Sequence, residues 1–292
     1  MKCIDFDKEF ERYLSAWMKQ HNGEYRNYDE LEARVPDIYA EWLAAPLSWL
    51  GNKCPGEYFE QFDNARMLVN HMEDHFKQRV PVPDMLMNRI TELGDASEQP
   101  LYDMLTKERS PREARMLAIT MLREIESEMP LSLYIDWVAA MVSAEDAPDA
   151  EAQNELAENA LESLSSLGEK AVFAMKARLN DATDTGRAAF CSLLCHYPDE
   201  DETVFSTLMS LLQKPGFSKA ELADYLGKLG NEKAVEPLKA LAASVETSYL
   251  DYIELRGAIE TLGGECPVRE FDENDPQYEA MKVLEKQKTG KI

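Results

Sequence analysis

The sequence predicts an all-α protein in which paired helices stack into an α-α superhelix behind an N-terminal helical cap. Three observations indicate this fold class. Apolar residues recur at helical spacing through most of the chain. Two segments of the chain repeat one pattern of Leu, Gly and Ala. Leu, Ala and Met are frequent, whereas runs of Val and Ile are few, which favours helix over strand.

The repeated pattern is a helix that ends in Leu-Gly, followed by a second helix that begins with Glu-Lys-Ala-Val. Gly168 and Gly230 hold equivalent places and lie 62 positions apart, which fits two units of roughly thirty residues. A glycine there can adopt the left-handed conformation that ends a helix. Ala171 and Ala234 are small enough for paired helices to approach closely. Pro237 predicts that its helix has a short or shifted first turn.

Turn and breaker residues divide the rest of the chain into helix pairs. Asp149, Asp184 and Ser218 are predicted N-caps, because their side chains can accept bonds from free backbone N–H groups. The predicted pairs are 83–107, 111–143, 150–180, 184–213 and 217–243, with a final helix at 247–264.

Residues 1–80 do not fit the repeat, and we predict that they form a non-repeat helical cap. Solenoids need caps, since a terminal repeat otherwise exposes an apolar face. The predicted organisation is therefore a cap over 1–80, a solenoid over 81–264 and a tail with a short helix over 265–292. Within the cap, the predicted helices are 6–19, 28–44 and 58–78.

One segment of the second copy carries a family resemblance. The segment 226–238 reads Leu-Gly-Lys-Leu-Gly-Asn-Glu-Lys-Ala-Val-Glu-Pro-Leu and resembles the HEAT-like repeats of phycobilisome lyases, which occur in many bacterial proteins. The resemblance covers residues 217–243 well and 157–181 moderately. It implies an α-α superhelix whose second helices line the concave face. It implies no single activity, because the family is chiefly a scaffold for protein contacts. Some relatives act on bilins, but no chromophore-site residue can be carried over.

The net charge limits the classes of partner that we expect, and the cysteines indicate the cellular compartment. The chain has 55 acidic and 31 basic residues, a net charge of −24. That field repels phosphate backbones and anionic lipids, so we expect neither nucleic acid nor membrane as a partner. No apolar stretch reaches the length of a membrane span. Five scattered cysteines do not indicate a disulfide framework, and we expect a cytoplasmic protein with reduced thiols.

Four lysines are candidates for binding an acidic peptide. Lys170 and Lys176 in one copy match Lys233 and Lys239 in the other, and all four would add positive charge to the concave face. Ordinary solvated lysines are the alternative. The stretch 124–169 contains 12 acids and no Lys, Arg or His. It is either a solvated face or a docking patch for a basic partner, and the sequence leaves both interpretations open.

Aromatic residues of the cap are a second candidate surface. Trp42 and Trp49 lie in a segment rich in Trp and Tyr, which could form either a peptide-binding pocket or the core of the cap. Cys191 and Cys195 lie inside an apolar helix, so we interpret them as buried hydrophobic residues rather than metal ligands.

His71 and His75 are weak candidates for a metal site. Spaced four apart on a predicted helix, they share one face. The metalloprotease pattern needs Glu directly after the first His, but Met72 occupies that place. The sequence locates no third ligand, so two surface histidines on a polar helix are the favoured interpretation.

No catalytic constellation and no cofactor are predicted. The sequence therefore predicts a scaffold or adaptor that binds another protein or peptide through its surface. The alternative is an enzyme. Such an enzyme is either lyase-like, acting on a prosthetic group, or metal-dependent with its site at His71 and His75.

Overall fold

The chain folds as an all-α protein, which confirms the predicted class. The computed structural model describes residues 2–21, 28–143, 147–269, 271, 278 and 280. Over this part of the chain there is no β-strand, and one isolated antiparallel bridge joins Leu47 to Lys53. None of the described helices combines the length and apolar character needed to cross a bilayer. Most of the predicted tail over 265–292 lies outside the described residues.

The α-helices are numbered here in chain order, and three short 3₁₀ turns interrupt them at Ser48–Leu50, Leu179–Asp181 and Glu232–Ala234. In the N-terminal half the helices are α1 (Phe6–Gln20), α2 (Tyr28–Glu32), α3 (Val35–Ala44), α4 (Ala65–Gln78), α5 (Asp84–Glu92), α6 (Asp95–Thr106) and α7 (Arg112–Glu124). In the C-terminal half they are α8 (Leu131–Ala139), α9 (Ala150–Leu167), α10 (Glu169–Arg178), α11 (Asp184–Leu194), α12 (Thr203–Leu212), α13 (Lys219–Leu229), α14 (Val235–Ala242) and α15 (Tyr249–Thr261).

The chain divides into two compact units, Met1–Pro130 and Leu131–Ile292. In the first unit an aromatic core surrounds Phe6, whose ring centroid lies 5.9–6.4 Å from those of Trp42, Tyr58 and Phe59. In the same unit α4 packs on α6 and α7. The predicted boundary at residue 80 therefore falls inside one compact unit, and the distinction between cap and repeat stays a prediction.

Two helices of the first unit differ from their predicted bounds. The helix predicted over 28–44 is divided, because α3 starts afresh at Val35 with Pro36 in its first turn, where a proline is tolerated. The helix predicted over 58–78 begins only at Ala65. Asn64 caps it by accepting a hydrogen bond from the Met67 N–H at 3.0 Å, so a strong N-cap sets this boundary.

In the second unit, helices that follow each other in sequence pack together, including α8 with α9 and α14 with α15. Gly168 and Gly230 both have positive φ, 60° and 75°, and each ends a helix. Gly230 has the predicted left-handed conformation with ψ 16°, whereas Gly168, with ψ −130°, does not. Pro237 lies in the first turn of α14, which begins at Val235 after the 3₁₀ turn. The predicted shifted first turn is therefore confirmed.

The predicted N-caps have three different outcomes. Ser218 caps α13 as predicted, accepting from the Glu221 N–H at 3.2 Å. Asp184 is not a cap, because the preceding Thr183 takes that place and accepts from the Gly186 N–H. Asp149 stands at the N-cap of α9 without a side-chain bond to the backbone.

Candidate metal centre

Helix α4 presents a mixed face to the core of the first unit. Its buried apolar residues include Leu68, Val69 and Met72. His71 follows Leu68 by three positions and His75 follows Met72 by three, so both rings share the buried face.

Both histidines are buried, with 3% of His71 and none of His75 exposed. The interpretation of them as surface histidines on a polar helix is therefore wrong. Their ring centroids lie 4.9 Å apart at an interplanar angle of 82°, and the ring of Phe59 lies 6.2 Å from that of His71. The spacing relative to the apolar stripe of α4 is the signal that could have predicted this burial.

Cys3 brings a third donor to the two histidines. It belongs to the irregular segment 2–5 before α1, and only 8% of it is exposed. One donor atom each from Cys3, His71 and His75 lie within 4.8 Å of one another. Elsewhere in the described residues no other group of three His, Cys, Asp or Glu side chains clusters in this way. Sequence reasoning missed Cys3 because no local pattern connects it to α4.

The backbone after α4 orients His75. Arg79 ends the helix in the left-handed conformation with φ 55°, and the chain turns back so that the Val80 N–H donates to the His75 carbonyl. The Pro81 carbonyl oxygen then lies 2.7 Å from His75 Nδ1. A carbonyl can only accept, so Nδ1 carries the proton and Nε2 keeps its lone pair. Nε2 is buried and has no hydrogen-bond partner.

His71 contributes a second free nitrogen, since its Nδ1 is also buried without a hydrogen-bond partner. Burial, followed by the neighbouring His75, lowers the pKa of His71 to about 4, and burial also lowers the pKa of His75. Both imidazoles are therefore neutral at pH 7, the form that binds metals. Burial raises the pKa of the Cys3 thiol. These directions disfavour a thiolate–imidazolium nucleophile, which needs the opposite shifts.

Glu73 lies between the two histidines in sequence but has other partners. Its buried carboxylate accepts hydrogen bonds from Lys107 at 2.8 and 2.9 Å and from Ser110 at 2.8 Å, and it pairs with Lys77 at 3.0 Å. Burial raises the pKa of Glu73, but the bonds from these groups lower it overall. Glu73 therefore anchors α4 to the segment after α6 and is not available to the histidines.

The three donors fit a metal ion that prefers nitrogen and sulfur. Zinc bonds of roughly 2.0–2.3 Å at tetrahedral angles place donor atoms about 3.4–3.8 Å apart. The donor atoms lie within 4.8 Å of one another, so binding requires a contraction of at most about 1.0–1.4 Å. Nearby acids favour a cation, since the charges of Asp5 and Asp74 act on His75.

The four predicted partner-binding lysines lie on the second unit. Lys170 is exposed on α10. The ammonium groups of Lys176, Lys233 and Lys239 form ion pairs within the chain, with which an acidic ligand would compete. These ion pairs are Lys176–Asp199 at 3.2 Å, Lys233–Glu202 at 2.6 Å and Lys239–Glu236 at 3.0 Å. The role of the four lysines in binding stays a prediction. The role of the stretch 124–169 also stays a prediction, and its residues 144–146 lie outside the described residues.

The remaining residues singled out from the sequence, two tryptophans and two cysteines, differ in how deeply they are buried. Trp42 is buried in the aromatic core and offers a partner no side-chain surface, whereas Trp49 is half-exposed. Cys191 and Cys195 are buried hydrophobic residues, as predicted. Burial raises their pKa values to about 12 and about 11.

Comparison with known proteins assigns no family. No model of a known protein family matches the chain, and no curated protein matches it. The functional assignment therefore depends on the burial, the clustering and the unpaired nitrogens of the triad.

Proposed function

We propose that this protein binds one late first-row metal ion, with Zn²⁺ as the best fit, through Cys3, His71 and His75. The observation that carries the proposal is the pair of buried nitrogens, His71 Nδ1 and His75 Nε2, that lack hydrogen-bond partners beside a buried thiol. Leaving a buried polar group unsatisfied costs about 1–3 kcal/mol. A metal ion bound by the cluster would take one ring nitrogen from each histidine.

The chemistry of the donors favours zinc over the hard cations. Neutral imidazole and thiolate suit Zn²⁺ and copper, whereas Mg²⁺ and Ca²⁺ require oxygen ligands. The hydrogen bond from His75 to the Pro81 carbonyl is the kind of contact that orients metal-bound histidines. Binding would release the Cys3 proton and tie segment 2–5 to α4.

Metal analysis of the purified full chain tests this function. After chelator treatment, we expect the chain to take up one equivalent of Zn²⁺, and Co²⁺ to give a thiolate charge-transfer band in the near ultraviolet. The variants Cys3→Ser and His75→Ala should lose both signals. The matched controls are Cys54→Ser and His21→Ala, which replace the same residue types outside the triad.

Circular dichroism of the metal-free variants ensures that a loss of metal is not a loss of fold. Stoichiometric binding that survives in a folded Cys3→Ser or His75→Ala variant would contradict the proposal, as would a wild-type chain that binds none. The same uptake measurement with copper in place of Zn²⁺ shows which of the two ions the chain binds, since both accept this donor set.

A second candidate function is the scaffold role, and the helix ends of the second unit favour it. We propose that the helix pairs of 81–264 form a HEAT-like solenoid that docks a protein or peptide in the cytoplasm. The equivalent glycines Gly168 and Gly230 both have positive φ, which supports a repeated unit. Phe173 on α10, 84% exposed, is the side chain most suited to a docking contact. The lyase-like alternative stays a prediction.

Affinity capture with quantitative mass spectrometry tests the scaffold role. We expect a protein recovered with the wild-type chain to be lost with Phe173→Asp. Val245→Asp is the control, because Val245 is equally exposed but lies outside the helices. Equal recovery with both variants would refute docking at Phe173.

A further inference from the structure

A cavity of about 340 Å³ that is open to the surface borders the triad at His71. His71 belongs to both features, since its ring supplies a donor to the triad and also lines the cavity. The other residues that line the cavity belong to α4 and its N-cap. They are Asn64, Arg66, Met67, Asn70 and Asp74.

The number of protein donors indicates what kind of metal site this is. Structural zinc sites are closed by four protein ligands, whereas sites that act on a ligand keep three and leave one position open. In the described residues the cluster contains three donors and no fourth His, Cys, Asp or Glu. Asp74 lines the cavity, but its oxygens are not part of the cluster.

The charge of the centre is compatible with water, hydroxide or a monoanion in the fourth position. Zn²⁺ with one thiolate and two neutral imidazoles has a net charge of +1 within a buried site. The carboxylates of Asp5 and Asp74 offset part of this charge from outside the cluster, and a monoanion on the metal would neutralise the centre itself. Arg66 adds positive charge at the cavity, although it is half-exposed and already pairs with Asp103 at 2.7 Å.

We infer that the bound metal ion keeps one exchangeable position open to the cavity beside His71, where water, hydroxide or a small monoanion binds. This inference rests on the metal-binding function proposed above. A liquid water molecule occupies about 30 Å³, so the cavity admits ligands of several heavy atoms. Asn70 and Asp74 supply a hydrogen-bond donor and an acceptor beside the incoming ligand.

Azide titration of the Co²⁺-loaded full chain tests the open position. Azide is a small monoanion, and its binding to cobalt changes the visible absorption bands. We expect a saturable change in the wild-type chain. Asn70→Trp replaces no metal ligand and puts an indole into the cavity, so azide should bind at least roughly tenfold more weakly.

Asn88→Trp is the matched control, since Asn88 is an exposed asparagine on α5 outside the cavity. It should titrate like the wild-type chain. Met67→Trp blocks the same cavity from another position and replaces Asn70→Trp if that variant does not fold.

Two results would overturn the inference while leaving metal binding intact. One is a one-to-one cobalt complex whose spectrum does not respond to azide, which indicates a closed structural site. The other is equal azide affinity in the wild-type chain and in folded Asn70→Trp, which places the open position elsewhere. A chain that binds no cobalt refutes the metal-binding function itself, and this outcome is distinct from both.

Discussion

Replacing Gly186 with alanine should destabilise the second unit, because α11 passes very close to the end of α8 at this residue. A methyl group here would lie 2.5 Å from the Val138 carbonyl oxygen and 2.8 Å from that of Ala139. Ordinary carbon–oxygen contacts are about 3.3–3.6 Å. Both oxygens belong to the backbone, and Thr183 ties the start of α11 to them by donating from its N–H to the Ala139 carbonyl at 2.9 Å.

The size of the effect follows from two opposing terms. Overpacking against a fixed backbone costs about 2–3 kcal/mol, the upper part of the usual range. The higher helix propensity of alanine returns roughly 1 kcal/mol. We therefore expect Gly186→Ala to lower the free energy of unfolding by about 1–2 kcal/mol.

Gly257 on α15 provides the matched control. A methyl group at this exposed helical glycine would meet no atom within 4 Å. Gly257→Ala should therefore raise the free energy of unfolding by about 0.5–1 kcal/mol. Urea denaturation followed by circular dichroism measures both variants. If Gly186→Ala is as stable as the wild-type chain, or if both variants shift in the same direction, the reasoning from close contact is wrong.

The remaining predictions concern a buried carboxylate and the thiols. Glu73→Gln should lower the free energy of unfolding by about 1–2 kcal/mol, because the charged hydrogen bonds to the buried carboxylate are weakened. The exposed control Glu92→Gln should change it by less than about 0.5 kcal/mol, and equal effects would contradict the importance of burial. Iodoacetamide at pH 8 should label the partly exposed Cys54 in the native chain, whereas the buried Cys191 and Cys195 should react only after unfolding. Mass spectrometry of the labelled peptides would refute this if Cys191 or Cys195 reacts as fast as Cys54.

Features that depend on near neighbours in the chain were open to prediction from the sequence. The positive φ of Gly168 and Gly230, the cap at Ser218 and the place of Pro237 all follow from interactions within a turn or two. The boundaries that failed are also local. Asn64 was available as a cap before α4, and the long helix predicted from residue 58 overlooked it.

The sequence by itself determined that the chain is helical, roughly where the helix pairs after residue 83 lie, and that His71 and His75 share one face of α4. Only the tertiary structure decided that this face is buried and that Cys3 lies against it. Helical periodicity depends on residues three or four positions apart, so it defines a face but not the partner of that face. The proposed metal centre depends on a contact between segment 2–5 and α4, which only the packing of the first unit creates.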